Sequence, residues 1–206
     1  MALIHKATLT PSKLGMLTEW LPTRPWFNGH GEIWQVGAYR FDDPAGEVGV
    51  ETLLVQGDNG SVCQVPLTYR GSPLDGAEEF LVGTAEHSVL GKRWVYDACS
   101  DPVWTAALTA TVLTGGTQVE EFVEVDGRLE PRAPTATVQG SGAPGTPVDP
   151  IGAVSCRDDG PTTVVRAEHY ELVVARVIGA EVFGEFTLTG SWAYGGPAVL
   201  AAVRRA

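Results

Sequence analysis

Only two stretches of this chain carry both a helical start and a helical stop, and Gly and Pro cut the rest into short runs that read as strands. Thr10-Pro11 offers a hydroxyl to cap free amides and a ring whose fixed φ suits a first turn. Leu14, Leu17 and Leu21 follow at helical spacing, and Pro22 ends the segment. Asp101-Pro102 opens a second helix by the same logic, with Trp104, Leu108 and Val112 repeating every turn and Gly115-Gly116 closing it. No other stretch reads as a helix.

The remainder has the alternation and turn chemistry of hairpins. Ile33–Asp42 and Val48–Gln56 are β-rich, and Gly57-Asp58-Asn59-Gly60 turns into Ser61–Tyr69. In that strand Cys63, Val65, Leu67 and Tyr69 share one face, while Pro66 marks an edge or a bulge. Glu79–Ser88 and Arg93–Ala98 form the next hairpin, and Val119–Val125 a further strand. Glu130–Ala153, rich in Pro, Gly, Thr and Ala, reads as a mobile loop or linker with too few apolar side chains to pack. Thr162–Glu168, Tyr170–Ile178, Glu185–Ala193 and Ala198–Arg204 complete the strands. The expected fold is α+β, a curved antiparallel sheet covered by two short helices. Residues 119–206 are expected to extend that same sheet.

Composition narrows the function classes. A hydrophobic fraction of 44% across 206 residues is enough to build a core. The 14 basic and 25 acidic residues leave a net charge of −11, which repels phosphate backbones and anionic lipid, so neither nucleic acid nor a membrane surface is an expected partner. Cys63, Cys99 and Cys156 are widely spaced and odd in number, the usage of a reducing cytoplasm, and read as small buried hydrophobes. Met1–Thr10 lacks the apolar run of a signal peptide, and the apolar run Leu172–Phe183 is interrupted by Arg176 and Glu181.

Catalytic motifs are sparse. Phosphoryl transfer requires an anchoring Lys on a strand, a catalytic carboxylate and a downstream metal ligand. The only lysines are Lys6, Lys13 and Lys92, and the residues two places after the histidines are Ala7, Glu32, Val89 and Glu171, so no H-x-D loop exists. Gly140-Ser141-Gly142-Ala143-Pro144-Gly145 matches G-x-G-x-x-G, but no long helix follows and Pro144 removes a donor, which favours a flexible linker. Ser88 follows His87 without a nucleophile elbow. Glu168-His169 with Glu171, and His30 with Glu32, read as polar strand faces or turns, and Asp158-Asp159-Gly160 as a hairpin turn. No metal or cofactor is expected. Asp97, just before the second helix, is expected to fix a turn.

Aromatic residues are concentrated early. Trp20, Trp26, Phe27, Trp34 and Tyr39 lie near Arg24, Asn28, His30 and Arg40. Rings beside Arg and Asn suit the stacking of a sugar, and equally serve to pack a helix on a sheet. If a ligand site exists, its candidate residues are Arg24, Trp26, Asn28, His30, Trp34 and Arg40.

Three ordered motifs carry a family resemblance: Leu21-Pro22-Thr23-Arg24-Pro25-Trp26-Phe27, Cys63-Gln64-Val65-Pro66-Leu67, and Tyr96-Asp97-Ala98-Cys99-Ser100-Asp101-Pro102. Over about residues 1–118 the chain resembles the N-terminal cap domain of actinobacterial maltokinases, although the family places Arg directly before Trp where this chain has Arg24-Pro25-Trp26. The resemblance implies a cystatin-like curved sheet that sits beside a nucleotide-binding lobe and contributes no catalytic residue. It also implies a setting in carbohydrate metabolism, since such caps occur fused to trehalose-pathway enzymes. The expected function is a stand-alone, non-catalytic accessory protein that docks on a protein partner. The alternative is a binder of a small ligand such as a sugar or nucleotide, or an enzyme, using a pocket between sheet and helices.

Overall fold

The computed structural model describes residues 2–4, 8–125 and 128–206; Lys6 lies outside them. The first helix, α1 (Lys13–Trp20), begins two residues later than Thr10-Pro11 suggests. Ser12 is its cap, its hydroxyl accepting from the Gly15 amide at 3.1 Å. Pro22 does not stop the chain from coiling, because Leu21–Thr23 continues as one turn of 3-10 helix. The short strands β1 (Ala2–Ile4) and β2 (Leu9–Thr10) precede α1.

Five long strands follow: β3 (Ile33–Phe41), β4 (Gly49–Gly57), β5 (Val62–Arg70), β6 (Leu81–His87) and β7 (Gly91–Asp97). With β2 they form a six-stranded antiparallel sheet in the order β2-β6-β7-β5-β4-β3, which curls into a half-barrel. The alternation of β4 and β5 serves two cores at once. Leu53, Val55, Cys63, Val65 and Leu67 face α1, packing against Met16, Leu17, Trp20 and Leu21. Val50 and Leu54 point the other way, toward α2 (Pro102–Thr114). That helix has the expected ends: Asp101 accepts from the Val103 amide at 2.9 Å, Pro102 occupies the first turn, and Gly115 closes it at φ 68°.

After α2 come β8 (Glu121–Val125), β9 (Arg128–Arg132), β10 (Ala136–Gly140), β11 (Ser155–Asp159), β12 (Thr162–Arg166), β13 (Tyr170–Ala175), β14 (Phe186–Trp192) and β15 (Gly195–Arg205). These correct the expectation of a single extended sheet. Strands β10–β15 build their own six-stranded antiparallel sheet, ordered β10-β14-β15-β13-β12-β11, and β1, β8 and β9 make a third, small one. The second large sheet packs face-on against α2 and the first sheet. Leu172, Val174, Leu188 and Val203 share a core with Tyr39, Phe41, Trp104 and Leu108. A sheet with an apolar face needs a covering layer, and two short helices cannot cover both faces of the first sheet.

The stretch 130–153 also differs from a free linker. It contains part of β9 and all of β10, and Val148 and Ile151 pack against the shared core. The G-x-G-x-x-G match lies at the end of α2. The Gly142 amide donates to Val112 O at 2.9 Å and the Ala143 amide to Leu113 O at 3.0 Å, satisfying carbonyls that the helix end leaves open. A Cβ on Gly142 would stand 1.9 Å from Leu113 O, and one on Gly140 2.2 Å from Thr111 O. These glycines permit strand and helix backbones to touch. No helix among the described residues is long and apolar enough to cross a membrane.

Candidate functional site

The six candidate residues are dispersed. Arg24 stacks its guanidinium 4.9 Å over the Trp20 ring and donates from Nε to Thr23 Oγ1. Trp26 is 2% exposed and meets Trp20 edge-on, with centroids 6.0 Å apart. Exposed Asn28 borders a cavity of about 20 Å³, roughly one water in size. His30 is exposed, its amide held by Asp58 Oδ1 at 2.9 Å. Trp34 is 49% exposed at the start of β3. Arg40 lies six residues further along that strand, roughly 20 Å away at ~3.3 Å per residue.

Arg40 belongs to a separate ionic cluster. Its Nη1 stands 3.6 Å from Glu51 Oε1, while Lys13 Nζ and the Tyr69 hydroxyl reach Glu51 Oε2 at 2.5 and 3.0 Å. Burial opposes ionisation of Glu51, but Lys13 and Arg40, with the hydrogen bonds from Lys13 and Tyr69, outweigh it and hold the carboxyl below its usual range. The cluster fastens α1 to strands β3, β4 and β5.

The best-formed constellation is one that sequence reasoning did not anticipate. Arg176, fully buried just after β13, receives the three motifs together. Its Nη2 donates to Asp97 Oδ2 at 2.5 Å, its Nε donates to Thr163 Oγ1 at 2.7 Å, and its guanidinium lies 5.0 Å over the Trp26 ring. The second motif reaches the same segment: the Gln64 amide donates to Arg176 O at 2.9 Å, and Gln64 Nε2 donates to Ala175 O and Leu200 O. Tyr39 donates to Gln64 Oε1 and completes that amide's bonding. The Asp97 carboxylate also accepts from the Cys99 amide, so it fixes the expected turn and in addition neutralises a buried cation. One signal in the sequence pointed here: a lone Arg inside the apolar run from Leu172 requires a buried counter-charge if that run is a core strand.

Pro66 gains its explanation at the same place. Strand β5 pairs with β7 only from Leu67 onward. Below Pro66 the edge is filled by the Arg176–Ile178 segment, through the Gln64 bond and the Ile178 amide to Val62 O at 2.8 Å. A residue without an amide sits where β5 changes partners.

Several other charged and thiol side chains are engaged or subdued. Arg70 holds Asp101 through two bonds of 2.7 Å. Burial pushes the Cys63 thiol up to about 11 and Cys156 up to about 12, and raises Cys99 well above its usual value, so all three stay protonated near neutrality. Arg166 and Arg204 flank Glu171 on the outer face of the second sheet. The described residues contain no group of His, Cys, Asp and Glu arranged to hold a metal ion. A groove of about 390 Å³ does open between α2, the end of β3 and residues 148–151, and none of the six candidate residues lines it.

Residues 20–101 match the model of the maltokinase N-terminal cap domain. The match supports the resemblance carried by the three motifs. The matched span runs from Trp20 to Asp101, and so takes in only the last residue of α1 and none of α2. No curated protein matches the chain.

Proposed function

We propose that this chain is a non-catalytic accessory or binding protein whose cap-like region is joined to a second sheet. The observation that carries this reading is the convergence on Arg176. Trp26, Gln64 and Asp97, one from each cap motif, are used to dock the second sheet, and Asp101 is used to cap α2 and hold Arg70. Carboxylates so engaged have little capacity to act as a general base. Incubation of the full chain with ATP and maltose or other sugars should give no phosphorylated product. ATP consumption matched by sugar phosphate, and absent from a purified inactive variant, would overturn the proposal.

A second reading, binding of a small ligand, is favoured by the exposed side chains of Asn28, His30 and Trp34 and by the groove beside α2. A thermal-shift screen with sugars, sugar phosphates and nucleotides tests it, since a ligand at a hundredfold its Kd stabilises by about 2.7 kcal/mol. If a ligand found in this way binds the folded His30→Ala and Trp34→Ala variants unchanged, the Arg24–Arg40 segment is not its site.

A further inference from the structure

We propose that Asn28 is a site of spontaneous covalent modification, closing with Gly29 to a succinimide that opens to aspartate or isoaspartate. The chain has two asparagines, Asn28 and Asn59, and each is followed by glycine. Glycine has no Cβ, so an asparagine side chain can approach the amide nitrogen that follows it. The two pairs also lie together. Asn28, Gly29 and Asn59 border the same cavity of about 20 Å³, and a Cβ on Gly57 would stand 3.6 Å from Gly29 Cα and 3.4 Å from Asn59 Oδ1.

The reaction needs only solvent. The Gly29 nitrogen, its proton taken by hydroxide, attacks Cγ of Asn28. The N–Cγ bond forms, the Cγ–Nδ2 bond breaks, and Nδ2 leaves as ammonia with a proton from water. Water then opens the ring. Cleavage of the new N–Cγ bond gives aspartate, and cleavage of the original peptide bond gives isoaspartate. The sum is a side-chain amide and water becoming a carboxylate and ammonium, with nothing oxidised or reduced. Gly29 is buried, and the cavity, with room for roughly one water, gives solvent a place against it.

Hydrogen bonds set the two pairs apart. Asn59 Oδ1 accepts from the Ser61 amide at 3.0 Å, and the Gly60 amide donates to Gly57 O at 3.0 Å. Closure at Asn59 must give up both bonds, one holding the electrophile and the other the nucleophile. Among the described residues, the Asn28 side chain and the Gly29 amide make no hydrogen bond. Their neighbours are held: the Phe27 amide donates to Arg24 O at 3.2 Å and the His30 amide to Asp58 Oδ1 at 2.9 Å. The reacting pair is left free between two anchors, outside any helix or strand. Exposure does not distinguish the asparagines, since both are exposed. The product adds a negative charge two residues from the amide that Asp58 holds, and its isoaspartate form lengthens the main chain there by one carbon.

The inference goes beyond the proposed function and does not depend on it. Its test incubates the folded full chain at mildly alkaline pH and follows both sites by peptide mass spectrometry, with an isoaspartyl methyltransferase to detect isoaspartate. Position 28 should convert several times faster than position 59. In urea, where the hydrogen bonds of Asn59 are lost, the two rates should converge. Asn28→Gln, which requires a slower six-membered closure, should remove the fast conversion and leave the slow one at 59, with tryptophan fluorescence reporting that the variant is folded. Conversion at 59 as fast as at 28 in the folded chain would overturn the proposal. So would a position 28 that stays intact while the unfolded chain converts, or a fast conversion that survives Asn28→Gln.

Discussion

Arg176 and Glu51 are buried charges of opposite sign, and each is tolerated because partners from distant parts of the chain meet it. For Arg176 the decisive partner is Asp97, at 2.5 Å. Removing one member of a buried pair leaves the other uncompensated and typically costs 3–5 kcal/mol, whereas replacing both by apolar groups is far less damaging. Asp97→Asn should therefore destabilise by ~3–5 kcal/mol in urea unfolding, and adding Arg176→Met should recover part of that loss. Losses that simply add would show that the pair is not coupled. Glu51 supplies a pH dependence of known sign. Its folded pKa is depressed, so its contribution is fully present above the ordinary Glu pKa of ~4.3 and is lost as the pH falls through the lower, folded value. The stability difference between the native chain and Glu51→Gln should shrink as urea unfolding is repeated from pH 6 down to pH 3. A difference that stays constant would mean that Glu51 titrates as an ordinary carboxyl.

At the scale of elements, α2 is the part whose ends do the most. At its start, Asp101 accepts from the Val103 amide and binds Arg70 through both oxygens, so one carboxylate caps a helix and ties it to β5. The two roles can be separated. Asp101→Ser keeps a capping oxygen but loses the Arg70 pair, whereas Asp101→Ala loses both, and an N-cap lost to Ala alone costs ~0.5–2 kcal/mol. Both variants should be destabilised in thermal melts, Asp101→Ala by ~1 kcal/mol more than Asp101→Ser. Equal melts for the two would show that the cap contributes nothing beyond the Arg70 pair. At its other end α2 depends on Gly140 and Gly142, which let the strand end run against the carbonyls of the last helical turn.

For the molecule as a whole, the cap-like region and the second sheet share one interior. Tyr39, Leu54, Trp104 and Leu108 from the first 118 residues are in the same core as Tyr170, Leu172, Leu188 and Val203. Cutting the chain at 118 would expose that core, and would leave Gln64, Asp97 and Trp26 without their partners at 175–177. The full chain should unfold in one cooperative transition, with far-ultraviolet dichroism and tryptophan fluorescence changing together. The fragment 1–118 should show no cooperative melt. A fragment that melts sharply and retains native tryptophan fluorescence would mean that the cap-like region is an independent domain.

Much of this was legible in the sequence where the physics is local. Asp101-Pro102 and Gly115 act within one turn, so the ends of α2 could be read from neighbouring residues. The hairpin at Gly57–Gly60 and the shared face of Cys63, Val65 and Leu67 follow from turn chemistry and the two-residue period of a strand. The start of α1 was misplaced by two residues because Thr10 and Ser12 offer the same capping oxygen. Of the candidate site, sequence located the aromatics but not their neighbours: Trp26 pointed equally to stacking or packing, and an Arg 150 positions later decided for packing. The same limit hid the second sheet and the packed course of 130–153, whose apolar residues are too few to form a core alone and suffice only against α2. Local rules determined the elements of this protein. Which element covers which face, and which charge answers Arg176, depended on contacts between residues far apart in the chain, and only the tertiary structure brings those together.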